Sequence, residues 1–535
     1  MKRFFTMFLL FTIHYSLFTV VNAADAPSKP KPPATPELIA KGKNIYFKRC
    51  SFCHGLMGDG NGPAAEQMLP RPRDFTLGLY KFRSTETGAL PTDEDLFRTI
   101  SRGIPGSAMQ TFDIDKIKNG LTEEERWQVI YYIKTYNEDF SDKELDPYQQ
   151  AVKISKQVVS SAESISKGAQ RFKEMKCWEC HGDTGRGNGP NAPKLKDKFK
   201  GDPILPFDLT KGWRYKAGNL AEDIYKRFST GLNGTPMPSF SDSLNDEERW
   251  HLANFVFSLQ KRKVRNESVL KAMYVNGDIP VSPYYTGLAK AQAIDIQLAG
   301  QVIVKPRWEN PSVDLVTVRA IYNDKEIAFL MEWGDRFKDT AHNPDLEYKV
   351  PAAYDGYVRW GEIPQKPGNF RDSIALQFPV KMSDGTKKPH FMRGDSGSPV
   401  NLWIWKSDLE ESKQPSIEDV NASGPNQFKV QPQDKWHAKG KGVWNGGTWR
   451  VVIKRQLNTD DANDVQFEKG KFIPFSLNVW DGSNGEHNLL MSLSSWHYLI
   501  MEASTPISVY LLAILGIAIT GIGEWWLVRR SRKER

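Results

Sequence analysis

Cysteine is scarce: the chain has four in 535 residues, at positions 50, 53, 177 and 180, all inside two Cys-x-x-Cys-His runs. None is left over, so a structural disulfide framework is excluded even for an exported protein. A basic stripe is also missing. The net charge is +8, but Arg529, Arg530, Arg532, Lys533 and Arg535 supply five positive charges in the last seven residues. The rest is close to balanced, so a nucleic-acid partner has no electrostatic footprint. No phosphate loop, zinc pattern or Ser-His-Asp set is visible, which leaves nucleotide enzymes and hydrolases without a foothold. At 39% hydrophobic and 25% charged residues the mixture is globular rather than disordered. The length predicts two to four domains.

Both ends read as membrane-directed. Lys2 and Arg3, the apolar stretch Phe4–Val21 and the small residues of Val21-Asn22-Ala23 predict a signal peptide over 1–23, with a retained anchor as the alternative. Residues 24–36 follow as a Pro-rich linker. Ala503–Gly523 carries no charged side chain, long enough for a helix to cross a bilayer core. Residues 503–528 are therefore expected to be a transmembrane helix, with Trp525 and Trp526 at the headgroups and 529–535 as a basic cytoplasmic tail. The bulk of the chain is then periplasmic, held by a single pass in the inner membrane.

The first half repeats itself. Gly42–Pro63 and Gly168–Pro190 share a frame: a helical pattern, Cys-x-x-Cys-His-Gly, then a turn ending Gly-Asn-Gly-Pro. Asp74-Phe75-Thr76 is echoed by Phe207-Asp208-Leu209-Thr210, and each copy then reaches a Met in a Gly/Pro loop, Met109 and Met237. Each closes on a capped, acid-led amphipathic helix with apolar positions Trp127, Ile130, Tyr131, Ile133 and Trp250, Ala253, Phe255, Val256. Residues 37–140 and 160–262 are thus predicted to be two related all-α domains.

Cys-x-x-Cys-His is the attachment motif of c-type haem. Cys50 and Cys53, and Cys177 and Cys180, would each bind a haem c covalently through its two vinyl groups, with His54 and His181 as the proximal iron ligands. The Met109 and Met237 loops resemble those of class I cytochromes c, in which a Met completes a saturated His/Met iron suited to electron transfer. Met57 and Met175 lie too near their own motifs to serve. Packing remains the alternative role for Met109 and Met237.

After about residue 280 short β-type runs take over: Ala293–Val304, Leu315–Tyr322, Ile327–Trp333, Trp449–Leu457 and Phe472–Trp480. They predict one mostly β sandwich domain over 280–500. Asp372–Pro379, Phe391–Asp395, Pro399–Asp408, Val479–Gly482 and Ser492–Trp496 resemble the haem b-binding domain of the ethylbenzene dehydrogenase γ subunit and its relatives. The resemblance implies a haem b with Met and Lys axial ligands. Met392 matches the Met; the Lys position holds Met491. Met392 and Met491 as a thioether pair, Lys406 or His390 as a substitute, or a domain without haem all remain open, as do core-filling roles for the two Met.

Tandem cytochrome c domains, such a γ-type domain and a C-terminal anchor together resemble the membrane-associated γ-type subunit of nitrite oxidoreductase, within the type II dimethylsulfoxide reductase family. The implied role is an electron-transfer subunit. Its implied partners are a molybdenum catalytic subunit, an iron–sulfur subunit, and a soluble cytochrome or terminal oxidase. A dihaem peroxidase or oxidase, and a β domain that only binds carbohydrate or a partner, are the rival expectations.

Overall fold

The structure, a computed structural model, describes residues 27–532 apart from 69, 199–200, 202–203, 262, 305–306, 309–310, 344–368, 382–386, 413–414 and 503–506. The expected signal peptide, the start of the linker and residues 533–535 of the tail lie outside the described residues.

The two helical domains are built alike. The first holds α1 (Pro36–Arg49), α2 (Ser51–His54), α3 (Asp93–Arg102) and α4 (Glu123–Lys134). The second holds α5 (Ala162–Glu174), α6 (Trp178–His181), α7 (Ala221–Thr230) and α8 (Asp246–Leu259). Thr122 and Asn245 cap α4 and α8 in reciprocal boxes with Glu125 and Glu248, satisfying backbone donors that a helix start leaves unpaired. Arg126 and Arg249 reach back to Ser101 and Ser229 on the preceding helix. Trp127, Ile130 and Ile133, and likewise Trp250, Ala253 and Val256, are buried. The first and last helices of each domain cross at a glycine. A Cβ on Gly42 would sit 1.9 Å from the Gln128 carbonyl oxygen, and one on Gly168 2.0 Å from that of His251, so no other residue allows this approach.

The remainder is a β sandwich whose two layers join at one edge. Among the described residues its fourteen strands are β1 (Val269–Tyr274), β2 (Ala293–Gln297), β3 (Ala299–Gly300), β4 (Leu315–Tyr322), β5 (Glu326–Gly334), β6 (Ser373–Pro379), β7 (Val400–Lys406), β8 (Ile417–Ala422), β9 (Phe428–Val430), β10 (Lys439–Trp444), β11 (Thr448–Gln456), β12 (Phe472–Trp480), β13 (Ser492–Leu493) and β14 (His497–Met501). The hydrogen-bonded path runs β10-β11-β5-β4-β1-β14-β12-β6-β7-β8-β9. Phe329 of β5 meets Phe378, Trp403 and Phe475 of the opposite layer at ring-centroid distances of 5.8, 6.2 and 6.3 Å; there the inner faces close on each other.

The expected β runs land on strands, with adjustments. The first stops as a continuous strand at Gln297, and β1 lies before residue 280, parallel to both β4 and β14. A parallel partner must come from far along the chain, so local pattern does not reveal β1. The C-terminal helix runs Ile507–Ser531, and Leu511–Ser531 is long and apolar enough to cross a membrane. It continues three residues past the expected end at 528, into the basic tail, where the Arg529 and Arg530 guanidinium groups lie over the Trp525 and Trp526 rings.

Candidate redox centres

In each helical domain a short helix carries the motif, because the second Cys and the His must follow the first within one turn. The Cys53 and His54 amides bond back to the Cys50 carbonyl at 3.1 and 2.9 Å; those of Cys180 and His181 bond to Cys177 at 3.3 and 2.9 Å. All four thiols are unbridged. Burial pushes the Cys50 thiol up to about 12 and that of Cys177 up to about 11.

The two histidines are oriented identically. His54 Nδ1 hydrogen-bonds the Arg73 carbonyl at 2.9 Å and His181 Nδ1 that of Phe207 at 3.0 Å. A carbonyl accepts only from N–H, so Nδ1 holds the proton and Nε2 keeps its lone pair for a metal. Burial lowers both imidazole pKa values, favouring the neutral form that ligates.

The methionine loops match atom for atom. Ile104 N bonds the Met109 carbonyl at 2.8 Å, and Leu232 N that of Met237 at 3.1 Å. Ser107 Oγ and Thr235 Oγ1 each accept from the Met amide at 3.2 Å. Met109 packs on the apolar core that touches Cys50, and Met237 on the core that touches Cys177. Met57 is 71% exposed, out of reach of either core, while Met175 packs on the second core. A cavity of about 520 Å³ opens on the Met237 loop, lined by Leu232, Asn233 and Pro238 and, from the first domain, Glu86 and Thr87.

Sequence reasoning missed a cluster of cations between the domains. Burial, then the charges of Lys81, Arg214 and Arg336, lowers the Lys216 ammonium to about 8. Lys216 has no carboxylate partner among the described residues. Such a group is costly unless an anion meets it. A haem propionate is such an anion, so Lys216, the unbridged thiols and the histidines with an unshared Nε2 lone pair all fit haem c.

In the β domain, Met392 and Met491 share one apolar cluster and are both 0% exposed. Each lies on a loop pinned by a buried glutamine. Gln377 donates to the Phe391 carbonyl at 2.7 Å and accepts from Arg393 N at 3.1 Å. Gln301 donates to the Leu489 carbonyl at 3.2 Å, and its amide bonds the Met491 carbonyl at 3.0 Å. Arg393 and Asn488, at φ +59° and +48°, join the loops: Arg393 Nη2 donates to the Asn488 carbonyl at 3.0 Å. Left-handed backbone at the non-glycine Arg393 stores strain, here next to Met392. Lys406 pairs with Glu418 at 2.6 Å and is absent from the methionine cluster; His390 Nδ1 accepts from Met392 N at 3.2 Å. Two buried thioethers sharing one apolar, aromatic-flanked cluster are a soft donor set that fits a haem iron.

Comparison with known proteins follows these divisions. Residues 39–137 and 165–260 match the cytochrome c family, and residues 287–419 and 410–492 match the family described as ethylbenzene dehydrogenase. A protein of Haloferax mediterranei, provisionally named a respiratory nitrate reductase heme subunit, is 23% identical over 46% of this chain and 78% of its own. The CcoP subunit of the cbb3-type cytochrome c oxidase of Helicobacter pylori is 24% identical over 40% of this chain and 60% of its own. Among solved structures, a chain of a reducing HAO-like protein complex of Kuenenia stuttgartiensis is 46% identical, covers 43% of this chain and 99% of its own, and superposes with a TM-score of 0.39.

Proposed function

The chain joins two cytochrome c domains to a domain of the ethylbenzene dehydrogenase family, and from that premise we propose that it is the membrane-anchored electron-transfer subunit of a molybdenum oxidoreductase, of the nitrite oxidoreductase type. The observation that carries this reading is the duplication of one complete cage in two domains of one chain. Each cage has two thiols, a tautomer-fixed histidine and a loop-held methionine. Haem, when bound, supplies a one-electron couple at iron. Cys50 and Cys53, and Cys177 and Cys180, would attach it, and His54 with Met109, and His181 with Met237, would ligate its iron, a saturated donor set that favours electron transfer over catalysis. Lys216 would meet a propionate. Met392 and Met491 would hold a third, non-covalent haem b in the β domain.

The chain would relay electrons between a molybdenum subunit with its iron–sulfur subunit and a cytochrome or terminal oxidase. The C-terminal helix holds it in the inner membrane, with the basic end in the cytoplasm and the haem domains outside. The provisional name of the Haloferax relative supports a respiratory molybdenum partner. Purification from detergent-solubilised membranes tests the assembly: molybdenum and iron–sulfur subunits should co-purify, and their absence would sink this reading. Haem extraction tests the cofactors: two haems per chain should resist acid acetone and one protohaem should leave. A Met237→His variant should keep both covalent haems while lowering one reduction potential, within the roughly 0.8 V that axial ligands command.

A further inference from the structure

Behind the His181 cage, where the second helical domain meets the β domain, three carboxylates are buried together. Asp335 follows β5, Asp372 precedes β6 and Asp481 follows β12. They are 3%, 0% and 4% exposed, and each offers an oxygen within 4.8 Å of the other two. Asp339 and Glu486 add two more buried carboxyl groups beside them. Arg336 lies next to Asp335 and Asp481, but one guanidinium does not balance five buried carboxylates.

Their hydrogen bonds all arrive from neighbouring donors. Asp372 Oδ1 accepts from Gly482 N at 2.9 Å, and Oδ2 from Asp339 N at 2.8 Å and Trp449 Nε1 at 2.9 Å. Asp481 Oδ1 accepts from Ser483 Oγ at 2.6 Å and Asn484 N at 3.2 Å, and Oδ2 from Ser312 Oγ. Asp335 Oδ1 accepts from Phe337 N at 3.3 Å. Each of these partners is a donor, which an ionised carboxylate uses in full, while burial and the neighbouring carboxylates push Asp335 and Asp372 well above the ordinary carboxyl range, an opposition that a cation would relieve. Asp335 Oδ2 is buried with no hydrogen-bond partner. A buried anion left in this way needs a cation.

We propose that Asp335, Asp372 and Asp481 bind a divalent cation of the calcium class at the junction of the second helical domain and the β domain. The donor set is oxygen only, which selects a hard cation over zinc or copper. Calcium–oxygen bonds of about 2.3–2.6 Å place ligands on one ion no more than about 5 Å apart, in keeping with the observed spread. Water completes the shell.

The position gives the site a purpose. The cation ties the end of β5 in one layer to β6 and β12 in the other. Arg336, next in sequence to Asp335, contacts the second domain: its Nη2 donates to the Pro206 carbonyl at 3.3 Å, and its Nε lies 3.1 Å from where a Gly187 Cβ would be. Asp481 opens the loop that ends at Met491. One ion would therefore fix both the platform under the His181 cage and the root of the Met491 loop.

The test uses the full chain in detergent, stripped with EGTA and then dialysed against labelled calcium chloride. About one calcium should be retained per chain, and the melting temperature should rise steadily with the logarithm of calcium concentration. Asp335→Asn should abolish both effects while all covalent haem is retained. Asp372→Asn serves as the second variant if the first fails to fold. Wild-type protein that binds no calcium, or melts at the same temperature with and without it, overturns the proposal. So does Asp335→Asn that melts higher than wild type and leaves calcium without effect, since that outcome means the carboxyls share protons instead. The reading of the chain as an electron relay stands or falls separately, on subunit co-purification.

Discussion

Asp419 shows what a single buried carboxyl does to a domain that already holds too many. It lies beside Asp464, and both face the buried Arg455. Asn401 Nδ2 donates to Asp419 Oδ1 at 2.6 Å, yet Oδ2 has no partner and neither has the nearby Gln431 Oε1. Burial, then the charge of Asp464, raises the carboxyl to about 7. The folded state thus holds a proton that the unfolded chain has released. The stability this group contributes is complete below its ordinary value of 3.8 and is lost as pH rises from there to about 7. Asp419→Asn keeps the acceptor for Asn401 and adds a donor. Over that window the variant should lose a slope of up to about 1.4 kcal/mol per pH unit, and at pH 8 it should exceed wild type by on the order of 2 kcal/mol. Urea unfolding at pH 5, 6 and 7 followed by tryptophan fluorescence checks it; an unchanged slope would show that Arg455 holds Asp419 ionised. At this scale the sequence was most legible where chemistry demands fixed spacing. Two Cys-x-x-Cys-His runs disclose their role by themselves. Asp335, Asp372 and Asp481 do not, because three ends of strands brought together only by the fold leave no local pattern.

Helices and strands differ in how much of themselves they write locally. The closing helices α4 and α8 were readable because capping, the acidic first turn and helical periodicity all lie within one segment. Their crossings with α1 and α5 were not, although the frame of the repeat begins on the two glycines responsible. Gly168→Ala would drive a methyl into the His251 carbonyl oxygen at 2.0 Å and force α5 away from α8. The cost should be about 3 kcal/mol or more, at the upper end of overpacking, because backbone rather than a flexible side chain is struck. Thermal unfolding of the second domain, read by haem absorbance, should fall by several degrees; an unshifted transition would mean the helices do not meet as described. Among strands, β6 is buried along its whole length and has no alternation to betray it. Its Gln377, a polar residue inside an apolar run, holds the Met392 loop. Met392 and Met491 themselves are singled out by family resemblance alone, since nothing in their spacing predicts that they share one cluster.

Across the whole molecule the second helical domain is the middle of the chain in space as well as in sequence. Arg83 donates to the Thr230 carbonyl and Arg227 to that of Arg83, both at 2.7 Å, which joins it to the first domain. On its other side Asp314 of the β domain gathers Lys211 at 2.7 Å, Trp213 at 3.0 Å and Arg214 at 3.3 Å. Arg214 also backs onto Gly106 in the Met109 loop, so one arginine touches the methionine loop of the first domain while paired to the third. The cations at 211 and 214 hold the Asp314 carboxyl down at about 2, against the opposing effect of its burial. Its contribution is therefore present above about pH 4 and fades as pH falls towards 2. Removing Asp314 leaves two cations in a partly buried interface without their anion, a loss of about 3 kcal/mol, the low end for a broken buried pair because the lysine and arginine keep some solvent contact. Asp314→Ala should thus loosen the second domain from the β domain without unfolding either. Calorimetry should resolve one composite transition into two, and protease should cut sooner in the 261–268 connection. Both c-type haems should stay attached. In the proposed reading, with a haem b in the β domain, the variant should also slow electron transfer from that domain to the helical domains.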